Sequence, residues 1–146
     1  MASGSMKIKE LHRKLSDDDF EASFRDKTLR PGWFTHEAHL RLAFIHITKY
    51  GLDEAINNMR NQIRAFAENL GIYDKYHDTV TIAAVYMVNE YMKDADNSSF
   101  DTFLNSGGND LRSFKELLNK HYSYNVFRNQ EARQHYIAPD LIPFSA

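Results

Sequence analysis

Apolar residues recur along this chain at spacings of three and four positions, which places them on one face of an α-helix. The clearest example is the segment from Asp53 to Leu70, whose charged residues all lie off a single apolar stripe. That stripe consists of Ile56, Met59, Ile63, Phe66 and Leu70. Alternation of apolar and polar residues, which marks a half-buried strand, never persists beyond a few positions. The pattern therefore predicts an all-α protein, a compact single-domain helical bundle of about five to seven helices.

Capping residues and glycines place the predicted helices along the chain. The first is a short helix over Phe20 and Phe24 capped by Ser16. Thr35 is the expected cap of a helix that runs to about Tyr50 and ends at Gly51, and Asp53 is the expected cap of a helix that ends at Leu70. A fourth helix runs from about Tyr76 to Asp94, and short helices follow around Phe100–Leu104, Arg112–His121 and Gln130–Tyr136. The tail from Ala138 to Pro143 is expected to be extended, because proline disfavours a helix in the residue before it. Residues 1–5 are interpreted as a cloning remnant, and residues 6–146 as one all-helical domain.

Composition and charge exclude several classes of protein. The 146 residues are 42% hydrophobic, which is enough for an ordinary core. Eighteen basic and 20 acidic residues give a formal charge of −2, so no positive surface for nucleic acid is expected. The chain has no cysteine, which excludes disulfides, a thiol nucleophile and cysteine-bound metal. No apolar run approaches the roughly 20 residues of a membrane span and no signal peptide is expected, so we expect a cytoplasmic protein without membrane partners.

The histidines of the Thr35–Tyr50 segment occupy unusual positions. At about 100° per residue, His36, His39 and His46 fall within the apolar arc of this helix. The opposite arc, which is expected to face solvent, contains Glu37, Arg41 and Thr48. The segment therefore predicts imidazole rings where a leucine would normally pack.

The Tyr76–Asp94 segment repeats this arrangement. His77 falls on the apolar face with Thr81 one turn further along, whereas Asp78 is expected to point outward. The three other histidines, His12, His121 and His135, are expected at the surface or at helix ends. Two helices are thus predicted to direct imidazoles toward a shared interior.

Buried histidines require bonding partners for their ring nitrogens. A buried polar group without a partner costs roughly 1–3 kcal/mol, so these rings must bond to each other, to hydroxyl groups, to water, to a ligand or to a metal. Burial favours the neutral imidazole, and the helix dipole acts in the same direction at His36 and His77 in their first turns. The neutral form is the one that binds a metal or accepts a proton.

The leading hypothesis is an internal pocket that binds a small molecule. Its predicted ligand-binding residues are His36, His39, His77, Thr81, Tyr91 and Tyr122. His36, His39 and His77 also have the residue types of a three-nitrogen site for a divalent metal such as zinc, iron or manganese. The sequence does not decide whether the protein is an enzyme. If it is one, a neutral histidine would act as the general base, or a metal-bound water would act as the nucleophile.

Two other interpretations remain. In the first, the histidines form a satisfied hydrogen-bond network in a structural or protein-interaction domain, and exposed C-terminal aromatic residues form a homodimer surface. In the second, His77 and Asp78 are the paired ligands of an HD-like metal phosphohydrolase, a class that is also all-α. The glycine-containing sequence usual after that pair is missing, because Val80 and Thr81 stand there. The sequence His36-Glu-Ala-His39 also lacks the spacing of four positions found in zinc metalloproteases.

Several short motifs occur in order over residues 33–136. They are Trp33-Phe-Thr-His-Glu-Ala-His-Leu40, Ile63-Arg-Ala-Phe66, Tyr76-His-Asp-Thr-Val-Thr81 and His121-Tyr122. Together they resemble a family of small, all-helical bacterial proteins that carry aromatic-Thr-His-x-x-His-Leu and Tyr-His-Glu-Thr-x-Thr motifs. The resemblance supports grouping these residues but implies no reaction. Asp78 stands where the family pattern usually has Glu, and its shorter side chain reaches less far.

Overall fold

Seven α-helices and five short 3-10 turns make up residues 10–145, the part of the chain that the computed structural model describes. The helices are α1 (Asp17–Arg25), α2 (His36–Tyr50), α3 (Leu52–Asn69), α4 (Asp78–Met92), α5 (Phe100–Ser106), α6 (Phe114–His121) and α7 (Gln130–Gln134). The 3-10 turns are Leu11–Lys14, Pro31–Trp33, Tyr73–Lys75, Asn109–Ser113 and Val126–Arg128. No strand occurs between residues 10 and 145, so the all-α prediction is confirmed. The predicted remnant at residues 1–5 lies outside the described residues.

The first two helix starts were predictable from their caps. Ser16 Oγ accepts a hydrogen bond from the Asp19 N–H at 3.1 Å, and Thr35 Oγ1 accepts one from the Ala38 N–H at 3.2 Å. Gly51 ends α2 with a φ of 84°, a conformation that glycine adopts without steric cost. These are local signals, and each one is read correctly from the sequence.

Two other helix starts differ from the prediction. Helix α3 begins at Leu52 directly after Gly51, so Asp53 lies inside its first turn and is not the cap. Helix α4 begins at Asp78, because a 3-10 turn occupies Tyr73–Lys75 and the His77 ring serves as the N-cap. The second difference changes the role of His77, as described below.

The core lies where α2, α3 and α4 pack against one another. Their fully buried side chains include Leu40, Leu42, Ala43, Met59, Ala83 and Val85. Helices α5, α6 and α7 and the turns between them cover the ends and sides of this trio. The tail from Ala138 to Pro143 forms no helix, as predicted, and is held by a hydrogen bond from the Leu141 N–H to the His121 carbonyl at 2.9 Å.

Helix α2 is buried on nearly all sides, which corrects the expectation that Glu37 and Arg41 face solvent. Each of these residues is only 7% exposed. The segment from Glu10 to Asp17 lies over this face and supplies ionic partners. A helical wheel identifies a polar face correctly, but another charged segment covers this one.

The same correction applies to α4. Asp78 is 0% exposed instead of pointing outward, because Arg60 of α3 and the backbone at Tyr136 cover its carboxylate. Its neighbour Thr79 is also fully buried, and its hydroxyl donates to the Ala132 carbonyl at 2.7 Å. Polar contacts therefore join the start of α4 to the C-terminal segment.

Candidate functional site

A cavity of about 540 Å³ lies between α2, α4, α6 and the Val126–Arg128 turn, and we call it the histidine cavity. Its apolar wall consists of Val80, Ala84, Phe114 and Phe127. Its other polar lining residues are His36, His39 and Ser113. Its charged residues are Arg112, Lys115 and Glu116, all exposed, so the cavity opens to solvent on the α6 side.

His39, which lines this cavity, has an unusual ring nitrogen. Its ring stacks on Phe34 with centroids 5.5 Å apart and an angle of 22° between the planes. Its Nε2 is buried and has no hydrogen-bond partner among residues 10–145. We call this atom the open nitrogen. Burial lowers the pKa of His39 to about 4, with a smaller contribution from nearby His36, so the ring is neutral at physiological pH.

His36 lies at the mouth of the cavity. It is the first residue of α2 and is exposed, which corrects the expectation that it faces the core. Its Nε2–H donates to the Leu111 carbonyl at 3.1 Å, and its ring lies 5.5 Å from the Phe114 ring. His36 thus ties the start of α2 to the segment that forms the opposite wall.

His77 is buried but does not line the cavity. Its Nδ1 accepts a hydrogen bond from the Val80 N–H at 3.1 Å, and its Nε2–H donates to the Val126 carbonyl at 2.7 Å. Burial lowers the pKa of His77, which agrees with a neutral ring that uses both nitrogens. Because these bonds hold the Val126–Arg128 turn against α4, His77 positions Phe127, whose ring lies 6.2 Å away at the cavity wall.

The other three predicted ligand-binding residues lie elsewhere. Thr81 is buried in α4 and Tyr91 lies near the far end of the same helix. Tyr122 is buried, and its hydroxyl donates to the Ile137 carbonyl at 2.7 Å. Of the six predicted residues, the histidine cavity therefore brings together His36 and His39.

The structure does not bring His36, His39 and His77 together as metal ligands. Within residues 10–145, the one group of three potential ligands whose atoms lie within 4.8 Å of one another is Glu10, His12 and Glu37. This group is on the face of α2 covered by the N-terminal segment, not in the histidine cavity. Sequence reasoning missed it because His12 was expected at the surface, whereas it is 0% exposed.

Arginine side chains already neutralise this second group. Arg13 binds both carboxylate oxygens of Glu37, with Nε at 2.8 Å from Oε2 and Nη2 at 2.9 Å from Oε1. Arg41 Nη1 contacts His12 Nδ1 at 3.2 Å, so Nδ1 is an acceptor and Nε2–H donates to Glu37 at 2.8 Å. Burial acts to raise the pKa of Glu37, but Arg13 and His12 outweigh it and hold the pKa below its usual value. The arrangement is a charge network in which Arg13 and His12 already bond the Glu37 carboxylate and the His12 ring uses both nitrogens.

Asp78 is also fully engaged. Arg60 donates to both of its oxygens, Nε to Oδ1 at 2.9 Å and Nη2 to Oδ2 at 2.5 Å. The Tyr76 hydroxyl donates to Oδ1 at 2.7 Å, and the Tyr136 N–H donates to Oδ2 at 2.9 Å. Since both His77 nitrogens are bonded as well, this geometry gives no support to an HD-type pair of metal ligands.

Comparisons with known proteins add no assignment. The chain matches no family model, no curated protein and no solved structure. The resemblance to the small bacterial family therefore stays a prediction. None of the helices between residues 10 and 145 is long and apolar enough to cross a membrane.

Proposed function

We propose that this protein binds a small organic molecule in the histidine cavity, with His39 as the polar anchor. A volume of about 540 Å³ lies within the usual range for ligand sites, about 300–1,000 Å³. Most of the wall surface is apolar, and polar side chains complete it, a composition typical of such sites. Phe114 and Phe127 would contact the apolar body of the ligand, and the open nitrogen would bind one polar group.

The open nitrogen is the observation that carries this proposal. A buried polar atom without a partner costs roughly 1–3 kcal/mol, and most buried polar atoms in proteins are bonded. His77 satisfies both ring nitrogens within the fold, whereas His39 leaves Nε2 without a partner in the described part of the chain. Nε2 is buried in the absence of a ligand, so the His39 ring has to turn toward the cavity to bond one. That bond would remove the cost on binding.

The pKa of His39 favours binding over general-base catalysis. A general base works best when its pKa lies near the working pH, about 7. Burial holds the pKa of His39 at about 4, so the ring is a weak proton acceptor but a constant neutral hydrogen-bonding group. We therefore propose that the protein binds its ligand without transforming it. Catalysis at this site would need a reactive group on the ligand itself.

Other histidines support the structural interpretation as a second candidate. His12 and His77 use both ring nitrogens in hydrogen bonds to the fold, and His36 uses one. Under this interpretation the protein is a structural or interaction domain. The unbonded Nε2 of His39 then only lowers the stability of the fold and has no role in binding. The cytoplasmic location and the homodimer are proposals from the sequence alone.

Titration of the protein with phenol and with indole, monitored by the NMR resonances of the protein, tests the proposal. Each probe has an aromatic body and one polar hydrogen. We expect resonances of Phe114 and Phe127 to shift on titration, and His39→Leu to weaken binding about tenfold, the value of one buried hydrogen bond. His46→Leu is the matched control, because His46 of α2 is also buried with an unpartnered Nε2 but lies outside the lining of the histidine cavity.

Two results would overturn the proposal. One is the absence of any shift at the cavity with either probe. The other is equal affinity of the wild type and His39→Leu, which would leave the structural interpretation in place.

A further inference from the structure

A second cavity of about 790 Å³ adjoins the histidine cavity. Lys115 and Phe127 line both, so these two side chains form a shared wall. The Lys115 ammonium lies 5.5 Å from the centroid of the Phe127 ring, so the wall is a single cation–π pair. Because Tyr122 and Tyr124 line the second cavity, we call it the tyrosine cavity.

Residues that line the tyrosine cavity carry polar groups that the fold does not use. The Tyr124 hydroxyl is buried and has no hydrogen-bond partner within residues 10–145. Asn125 Oδ1 accepts from the Phe127 N–H at 3.1 Å, which leaves the amide NH₂ of this side chain available. Asn119, one turn before Tyr122, contributes a second amide. Amides and a hydroxyl beside aromatic rings suit a ligand that carries several hydroxyl groups.

Charge around the two cavities favours an anion. The basic lining residues are Arg112, Arg128 and Lys115, but Arg112 Nη1 lies 3.6 Å from Glu37 Oε1. The nearby acids are Glu116 in the lining and Asp140, which accepts a hydrogen bond from the N–H of the lining residue Ser123 at 2.9 Å. No carboxylate between residues 10 and 145 lies within 4 Å of the charged groups of Lys115 or Arg128. The positive charge that an anion would meet therefore belongs to Lys115 at the shared wall and to Arg128 at the tyrosine cavity.

We propose, resting on the proposed function, that the ligand is an elongated organic anion that spans both cavities. Its apolar or aromatic body occupies the histidine cavity and bonds the open nitrogen. Its anionic group lies near Lys115 at the shared wall. Its hydroxyl-bearing end occupies the tyrosine cavity and bonds the Tyr124 hydroxyl and the two amides.

Three related probes separate these features: phenol, 4-hydroxyphenyl β-glucoside and 4-hydroxyphenyl β-glucuronide. Both glycosides keep a free phenolic O–H for the open nitrogen. The glucoside adds the hydroxyl groups of the sugar, and the glucuronide has a carboxylate in place of the hydroxymethyl group of the glucoside. By isothermal titration calorimetry we expect each addition to raise affinity about tenfold. Lys115→Met should remove only the gain from the carboxylate, because it keeps the length of the side chain without its charge.

Asn119→Trp should remove both gains, because the indole fills the tyrosine cavity, while phenol binding stays within about twofold of wild type. Both substituted residues are exposed, and an unchanged melting temperature verifies folding. Equal affinities for all three probes, with phenol still dependent on His39, would overturn the spanning ligand alone. Phenol binding that is absent or independent of His39 would instead overturn the proposed function.

Discussion

Helix α2 carries buried polar groups on two sides, and the two sides differ in how those groups are satisfied. Toward the N-terminal segment, the carboxylate of Glu37 is bonded by Arg13 and His12, and the His12 ring uses both nitrogens. Toward the histidine cavity, His39 keeps its open nitrogen. Buried polar groups that are all bonded, as on the first side, stabilise a fold. A buried polar group that is left unbonded, as on the second side, is a feature of binding sites.

These two sides are close neighbours. Glu37 directly follows His36, and Arg112 Nη1, which belongs to a cavity-lining residue, lies 3.6 Å from Glu37 Oε1. The satisfied network therefore holds the start of α2 beside the cavity. Each prediction below perturbs one side of this comparison.

Asp78 repeats the satisfied pattern on α4, and its loss should have the largest effect. Asp78→Ala removes a fully buried carboxylate and leaves Arg60, the Tyr76 hydroxyl and the Tyr136 N–H without their acceptor. We expect a loss of about 4 kcal/mol in the free energy of unfolding, measured by urea denaturation. Asp74→Ala, at an exposed position nearby, should change it by less than about 0.5 kcal/mol. A small loss for Asp78→Ala would show that this network is not structural.

Glu37→Gln tests the network on α2 itself. The substitution keeps the shape of the side chain but removes the charge that Arg13 binds at both oxygens. We expect a loss of about 3 kcal/mol by the same measurement. Glu116→Gln is the control, since this acid is exposed at the cavity rim. Equal effects of the two substitutions would remove the distinction between the two sides of α2.

The stability of the protein in acid should depend on His39. The unfolded ring has a pKa of about 6.5 and the folded ring a pKa of about 4, so between these values the unfolded state binds more protons and stability falls as pH falls. From about pH 7 to about pH 4.5, the wild type should lose about 2 kcal/mol more than His39→Leu. Urea denaturation of both proteins at each pH gives this difference. Parallel losses would mean that His39 is not held neutral by the fold.

The sequence predicts those parts of the fold that depend on neighbouring residues. Ser16, Thr35 and Gly51 mark helix ends correctly because a cap bonds only a few positions away. The pairings of Glu37 with Arg13 and of Asp78 with Arg60 join residues 24 and 18 positions apart, and no local pattern specifies them. A wheel therefore assigned both acids to solvent when tertiary contacts bury them.

As with the fold, the sequence predicts only the part of the site that depends on neighbouring residues. His36 and His39 lie three positions apart on one helix, so their common location at the cavity follows from helical geometry. His77 was misjudged because α4 begins two residues later than expected, which turns this ring into an N-cap. The opposite wall, at Phe114 and Phe127, depends on how distant segments pack, and the sequence does not indicate it.

His39→Leu at neutral pH should have the smallest effect on stability, and its sign is the informative part. Replacing the unsatisfied imidazole with an apolar side chain removes the cost of the open nitrogen, so we expect a gain of about 1 kcal/mol without ligand. His46→Leu should gain less, because it also breaks the bond between His46 Nδ1 and the Asn58 amide at 3.3 Å. Thermal unfolding of the two variants beside wild type measures the difference. A clear loss of stability for His39→Leu would mean that the fold already satisfies this nitrogen, and the contrast between the two sides of α2 would disappear.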